Sequence, residues 1–138
     1  MYCLVFAIAP PGCGDLDQFV GQAFRNLPGL EQRDGARCYD SYQIGCHWMR
    51  GLLWRDRFGG LPPGVSFPEP PFLGYSRNEA RVVADVPIDD KFFPIPEGYF
   101  TPDTAYHPVG YDRADWWAFR ETVLSYPDHL LVPLACHS

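Results

Sequence analysis

The chain has 138 residues and a formal net charge of −6, with 11 lysines and arginines against 17 aspartates and glutamates. This length is typical of one domain with one core, and the apolar share of 46% is that of a globular protein rather than a disordered chain. The cations are scattered singly and the balance is acidic. The composition therefore argues against a nucleic-acid partner and is compatible with a partner protein that has a basic surface.

The first apolar stretch, Tyr2–Ala9, is too short to span a bilayer and lacks the basic start of a signal peptide. No other stretch reaches the length of a membrane span. The five cysteines form an odd set with irregular spacing, which is typical of reduced thiols rather than of a disulfide scaffold. We therefore predict a soluble, cytoplasmic protein with no membrane partner.

Two elements are predicted at the start of the chain. Tyr2–Ala9 is a continuous apolar run bounded by Pro10-Pro11-Gly12, which predicts a buried strand. The next apolar residues recur at helical spacing: Leu16, Phe19, Val20, Ala23, Phe24 and Leu27. Asp15 is the predicted N-cap of this helix, and Pro28-Gly29 its end.

The segment Ser41–Phe58 fits either a helix or a strand. A helix would place on one face Tyr42, Cys46, Met49 and Leu53, and Gly59-Gly60 would end it. A strand would place on one face Tyr42, Ile44, Cys46 and Trp48. The two internal glycines each weaken a helix by about 1 kcal/mol. Length and the stop signal nevertheless favour a helix that begins at about Ser41.

The stretch Leu61–Pro108 contains ten of the fifteen prolines, and proline interrupts strand ladders because it lacks an N–H donor. Only Ala80–Val86 is predicted to be regular, as a strand or as a short helix with a capping box at Ser76. The remainder carries too many rings for a solvated linker. We predict that it folds over the core as a long, irregular, packed segment.

The chain ends with a helix and a strand. Asp112 is the predicted N-cap of the helix, whose buried side is lined by Trp116, Trp117, Phe119, Val123 and Leu124. Leu130–Cys136 is predicted as a last strand, at a sheet edge or bulged because of Pro133. Together these elements predict one compact α+β domain over residues 1–138. It has a small sheet, two or three helices and a long irregular segment rich in proline and aromatic residues.

Two groups of residues could support an enzyme. The pairs Cys46-His47 and Cys136-His137 could supply four zinc ligands, although adjacent residues point in different directions. Cys13 lies directly before the first predicted helix, where a helix N-terminus favours the thiolate, and a base could come from His107 or His129. The structural alternatives are buried thiols beside unrelated histidines and a plain tight turn, and these are preferred.

The acidic residues of the second half could hold a divalent cation or form an acid–base pair: Asp85, Asp89, Asp90, Glu97 and Asp103. Their spacing does not match a calcium-binding loop. A solvated rim around proline turns is therefore the preferred explanation, and we predict neither a metal nor a cofactor.

The main functional indication is the segment 89–100. It combines rings, carboxylates and prolines, with these predicted partner contacts: Asp89, Asp90, Phe92, Phe93, Glu97, Tyr99 and Phe100. A stiff aromatic loop loses little entropy on binding, and its carboxylates select a basic partner. The alternative is that the rings seal the core. We predict a small non-enzymatic interaction protein that blocks or modulates a macromolecular partner, as immunity proteins and anti-defence inhibitors do. A cysteine- or zinc-dependent enzyme is the alternative.

Overall fold

The computed structural model describes residues 2–27, 39, 41–44, 80–86, 88 and 93–137. Its strands are β1 (Tyr2–Ala9), β2 (Ser41–Ile44), β3 (Arg81–Val82), β4 (Gly98–Phe100), β5 (Tyr106–Pro108) and β6 (Leu130–His137). Its helices are α1 (Leu16–Arg25) and α2 (Arg113–Leu124), and a short 3-10 turn covers Val83–Asp85. In these ranges the chain forms one mixed sheet with two helices, which is consistent with the predicted α+β class.

The long strands β1 and β6 form the centre of the sheet. The strand order is β2-β6-β1-β4-β5, and β3 also pairs with β6. The pairing of β1 with β6 is antiparallel over the full length of both strands, from Tyr2 opposite His137 to Ala9 opposite Leu130. The pair β1–β4 is parallel, whereas the remaining pairs are antiparallel.

Each face of the sheet is covered by one helix. Along β1, Leu4, Phe6 and Ile8 pack into the cluster that contains Phe119 and Val123 of α2. The alternate residues of β1 pack into the cluster with α1: Cys3, Val5, Ala7 and Ala9. Because successive side chains of a strand point to opposite faces, a strand covered on both sides must be apolar throughout. This explains the unbroken apolar run of β1.

Both predicted helices begin where the sequence indicates. The side chain of Asp15 accepts a hydrogen bond from the backbone N–H of Asp17, and that of Asp112 accepts one from Asp115. Each carboxylate satisfies a donor that the first helical turn leaves unpaired. Within the described ranges, no helix has the length and apolarity that a membrane crossing requires.

The helix predicted from Ser41 is wrong at its start, because Ser41–Ile44 is strand β2. This strand pairs with the end of β6, where Ser41 lies opposite His137 and Ile44 opposite Leu134. A partner strand that is distant in sequence thus outweighs the local preference. The rest of that predicted helix, residues 45–58, lies outside the described residues.

The proline-rich stretch is more regular than predicted. Strands β4 and β5 form a hairpin inside it, with Tyr99 opposite His107. Of the segment Ala80–Val86, Arg81 and Val82 form a two-residue strand that runs directly into the 3-10 turn, and the predicted capping box at Ser76 lies outside the described residues. Proline does not prevent β5 because Pro108 is its last residue and β5 stands last in the strand order.

The prediction that β6 is an edge or bulged strand is wrong. Pro133 lies opposite Phe6 in the unbroken β1–β6 ladder. On the other side of β6, β3 pairs with Leu130 and Leu131, and β2 pairs with the residues from Leu134 to His137. Pro133 therefore lies between the residues of β6 that pair with β3 and those that pair with β2. Because neither of these described strands pairs with Pro133, the N–H group that proline lacks is not needed on that side.

Candidate functional site

Three of the four rings predicted to contact a partner are buried in the protein itself. Phe93 is 4% exposed, Tyr99 is 7% exposed and Phe100 is fully buried. Their rings therefore fill the protein's own core, which was the alternative explanation of their clustering. Burial of large apolar groups inside the chain that carries them is the default outcome of folding.

The buried rings tie the aromatic segment to both faces of the sheet. Phe93 stacks on Phe6 of β1, and Phe6 also stacks on Phe119 of α2. Tyr99 packs on Phe119 with ring centroids 5.2 Å apart. Phe100 points to the opposite face and belongs to the cluster covered by α1. The segment thus acts as a structural part of both cores.

Glu97, the predicted acidic contact, is half-buried in an internal polar network. Its Oε2 accepts a hydrogen bond of 2.9 Å from the hydroxyl of Tyr39. The hydroxyl of Tyr106 lies 3.4 Å from that of Tyr39 and donates to it, because the Tyr39 proton is used on Glu97. Burial, followed by these hydrogen bonds, raises the pKa of Tyr39. The remaining predicted contacts, Asp89, Asp90 and Phe92, lie outside the described residues.

Three of the five exposed large apolar residues of the described chain lie on or just before α2, whereas Val82 and Ile95 lie elsewhere. Tyr111, just before the helix, is 99% exposed, while Trp117 is 46% and Leu124 is 41% exposed. With the exposed alanines of the same helix they form a surface that we call the α2 outer face: Tyr111, Ala114, Trp117, Ala118 and Leu124. Positions 114, 117, 121 and 124 follow one another at intervals of three or four, and 118 lies four after 114 and three before 121, so they share one side of a helix.

The prediction that Trp117 and Leu124 line the buried side of α2 is wrong. The buried side consists of Phe119 and Val123, with Trp116 partly buried against the same core. Trp117 and Leu124 each follow one of these residues directly, and one residue rotates the side chain by about 100° around a helix. The five large apolar positions from 116 to 124 are therefore spread too widely around the helix for one buried stripe, and this excess is the sequence signal of a second face.

The exposed Trp117 ring of α2 is in contact with a cationic side chain of the same helix. The guanidinium of Arg120 lies over the Trp117 ring, 4.8 Å from the centroid. Such a cation–π contact at an exposed site contributes about 0.5–1 kcal/mol. By contrast, the outward residues of α1 are polar: Asp17, Gln18, Gln22 and Arg25. The two helices cover equivalent faces of one sheet, yet only α2 presents rings to solvent.

A cleft lies at the carboxyl ends of the parallel strands β1 and β4. It has a volume of about 740 Å³ and is bounded by the turn after β1, by α1 and by the loop after β4. Its lining includes half-buried Cys13, Arg25 of α1, and Asp103 and Thr104 of the β4–β5 loop. The carboxyl ends of parallel strands are a common location for small ligands. Neither histidine predicted as a base, His107 or His129, is part of this lining.

The loop beside the cleft contains a short polar chain. The Thr101 hydroxyl donates to the Asp103 carboxylate, and His107 Nε2 lies 3.2 Å from the same hydroxyl oxygen. Because the threonine has only one proton, His107 Nε2 is the donor to Thr101. The Thr101 hydrogen bond, together with the backbone N–H of Ala105, lowers the pKa of Asp103. The Nε2 atom of His107 is therefore already used in a hydrogen bond to Thr101.

The predicted zinc ligands are only partly described. Cys136 is fully buried in β6 and His137 follows it at the end of the strand, whereas Cys46 and His47 lie outside the described residues. Within the described ranges, no group of three or more histidine, cysteine or acidic side chains is placed to hold a metal ion.

The cleft and the α2 outer face are thus the two surfaces of the described chain with functional character. One is a cleft of mixed polar and apolar lining that contains a thiol, whereas the other is an exposed helix face that carries an aromatic ring. The chain matches no protein-family model, and comparisons with curated proteins and with solved structures find no similar protein.

Proposed function

We propose that this chain is a small non-enzymatic interaction protein that binds a macromolecular partner and blocks or modulates it. The observation that carries the proposal is the α2 outer face, on which Trp117 and Leu124 are exposed about two helical turns apart, with the exposed Tyr111 just before the helix. Tryptophan and tyrosine are the residue types most enriched in the energetically dominant centres of protein interfaces. Exposed rings on one helix therefore suit a docking surface.

The contrast with α1 strengthens this proposal. A helix that only covers a sheet needs one apolar stripe and a polar outer side, and α1 has that form. The additional apolar residues of α2, Trp117 and Leu124, are not part of its buried side, which consists of Phe119 and Val123. Leaving a large indole and a leucine in water has a cost in solubility, and contact with a partner removes that cost.

The partner that we propose is another protein with a basic surface. The net charge of −6 favours the approach of a positively charged protein and repels a phosphate backbone. Small size and acidic charge are also features of immunity proteins, which inhibit by occupying a partner's surface. Asp89, Asp90 and Phe92 remain predicted contacts, adjacent in sequence to the buried Phe93.

Binding can be tested with matched substitutions on the two helices. The variant Trp117→Ala/Leu124→Ala removes the large side chains of the α2 outer face. Gln18→Ala/Gln22→Ala changes the outward side of α1 and serves as the control. A partner captured by the native chain from its own cell and then purified should bind the α2 variant at least roughly 30-fold more weakly, which corresponds to about 2 kcal/mol. The α1 variant should bind as the native chain does.

Equal affinity of the native chain and the α2 variant for that partner would remove the α2 outer face from the proposal. Folding of each variant is checked by circular dichroism, so that loss of binding is not confused with unfolding. Trp117→Ala should lower the free energy of unfolding by less than the roughly 3–5 kcal/mol expected for a fully buried ring, since Trp117 is 46% exposed.

A second candidate, a cysteine-dependent enzyme, is favoured by one observation. Cys13 lines the cleft at the carboxyl ends of β1 and β4, next to the start of α1. A thiol that serves as a nucleophile reacts with an alkylating reagent faster than free cysteine does near neutral pH. Measurement of that rate, with Cys13→Ser as the blank, decides between the two candidates. A rate no higher than that of free cysteine rejects the enzyme.

A further inference from the structure

Cys3 and Cys136 face each other across the two central strands. They are direct partners in the antiparallel β1–β6 register, and both carry thiols. Both side chains belong to the core cluster under α1, with exposed fractions of 7% for Cys3 and 0% for Cys136. Burial, followed by the proximity of the Cys3 thiol, raises the pKa of the Cys136 thiol to about 12. The two sulfur atoms thus share one buried environment.

The backbone geometry of such a pair matches that of a disulfide. Directly opposed residues of antiparallel strands have Cα atoms about 4.5 or 5.5 Å apart, depending on their place in the ladder. Disulfides span Cα separations of about 4.4–6.8 Å, so either place allows the bond. We propose that Cys3 and Cys136 form a reversible disulfide that ties β1 to β6. This proposal is independent of the proposed function.

The same geometry makes the bond reversible rather than permanent. Opposed Cβ atoms lie about 4.5–5.5 Å apart in a ladder, whereas a disulfide holds them at about 3.5–4.5 Å. The two strands must therefore approach each other slightly, and the bond stores strain. Strained disulfides are reduced more readily than relaxed structural ones. Whether such a bond is formed or reduced therefore depends on the ratio of oxidised to reduced thiols in the surrounding solution.

The oxidant is a low-molecular-weight disulfide of the glutathione type. The thiolate of Cys3 attacks one of its sulfur atoms, which forms a mixed disulfide and releases one small thiol. The thiol of Cys136 then loses its proton and attacks the Cys3 sulfur, which closes the protein disulfide and releases the second small thiol. The protein loses two hydrogens and two electrons, and the reagent is reduced to two thiols.

The position of the pair in the ladder provides access to it. Cys3 is the second residue of β1 and Cys136 the second-last of β6, so both lie next to the end of the β1–β6 ladder, where β6 also pairs with β2 through Tyr42 opposite Cys136. The ends of strand pairs open locally at a much lower free energy than the whole domain does. While the ladder is closed, the raised pKa of Cys136 keeps its thiol protonated. The exchange therefore starts when this end of the ladder opens.

The test uses the full chain with Cys13→Ser, because trypsin leaves Cys3 and Cys13 in one peptide, residues 1–25. The reduced protein is incubated with oxidised glutathione under native conditions, alkylated and digested. We expect peptide 1–25 linked to peptide 121–138, with the loss of two hydrogens and full reversal by excess dithiol. The peptide with Cys38 and Cys46, residues 38–50, is resolved separately.

The oxidised protein should also melt at a higher temperature. The bond closes a loop that contains almost the whole chain, so it removes much entropy from the unfolded state. We expect a rise of about 5–15 °C relative to the reduced protein. Cys3→Ala and Cys136→Ala, each in the Cys13→Ser background, should show neither the linked peptide nor the rise. Cys3→Ala suffices if the more buried Cys136→Ala does not fold.

Absence of the 1–25/121–138 link at every ratio of oxidised to reduced glutathione would overturn the proposal. So would a link that forms only in urea, because the folded pairing would then not be its cause.

Discussion

The Phe93 ring stacks on the Phe6 ring, with centroids 5.7 Å apart and ring planes 22° apart. Phe6 is at the middle of β1 and is fully buried, and its other stacking partner is Phe119 of α2, at 5.9 Å. Phe93 thus connects the proline-rich segment to the centre of the sheet. Offset stacks of this type add to the stability that burial of the rings provides.

Phe93→Ala should therefore lower the free energy of unfolding by about 3–5 kcal/mol, because it leaves a cavity against Phe6. Ile95→Ala is the matched control, since Ile95 lies two residues further along and is 56% exposed. We expect it to change the free energy of unfolding by no more than about 0.5 kcal/mol. Urea denaturation followed by tryptophan fluorescence measures both. Equal effects of the two substitutions would contradict the packing of Phe93.

Gly98→Ala should destabilise the β4–β5 hairpin. A Cβ atom at Gly98 would collide with the ring and hydroxyl of Tyr106, which cross over this residue. Moving that ring disturbs its contact with Tyr39, and overpacking of this kind costs about 1–3 kcal/mol. The measurement is the free energy of unfolding in urea.

Tyr106→Ala removes the obstacle, so the effects of the two substitutions should not add. We expect the double variant Gly98→Ala/Tyr106→Ala to lose less than the sum of the two single losses. Strict additivity would show that the two positions are not in contact.

Asp112→Ala should weaken α2 by about 1 kcal/mol. The Asp112 carboxylate accepts a hydrogen bond of 2.8 Å from the backbone N–H of Asp115, a donor with no partner inside the helix. Asp112→Ser is the control, because serine also caps helices and should retain most of the stability. Thermal melting distinguishes the two variants. Similar melting temperatures for the alanine and serine variants would reject the capping role.

Alkaline pH should destabilise the reduced protein through Cys136. Burial raises the pKa of this thiol from 9.0 to about 12 in the folded protein. Above about pH 9 the unfolded chain releases a proton that the folded chain retains, so the free energy of unfolding falls as pH rises. The fall continues until the folded thiol ionises, with a limiting slope of about 1.4 kcal/mol per pH unit. Below pH 9 this contribution is fully present.

Urea titrations between pH 8 and 11 in the presence of a reductant measure this slope. Cys136→Ala should reduce the slope relative to the native chain. Val132→Ala is the control, since it also removes a fully buried side chain from β6 but no titratable group. It should lower stability and leave the slope unchanged. If Cys136→Ala had the same slope as the native chain, the loss of stability at alkaline pH would not arise from the Cys136 thiol.

The helices and the two long strands of this protein could be predicted from the sequence. The N-caps Asp15 and Asp112 and the apolar spacing within each helix are local signals, which act between residues a few positions apart. The unbroken apolar run of β1 likewise indicates a buried strand, and the apolar residues of β6 indicate a strand, although its central place in the sheet was not predicted. Composition alone also indicated an acidic globular chain.

Only the tertiary structure decides where the short strands form and whether each aromatic ring is buried or exposed. Ser41–Ile44 becomes β2 because β6, more than 80 residues later, supplies its pairing partner. Phe93 is buried and Trp117 exposed although both are large apolar residues in aromatic stretches. Which ring faces the core depends on the rotation of one element against another, and Cys3 meets Cys136 only through the register of the first and last described strands. Such contacts join residues that are remote in the chain, so no local pattern encodes them.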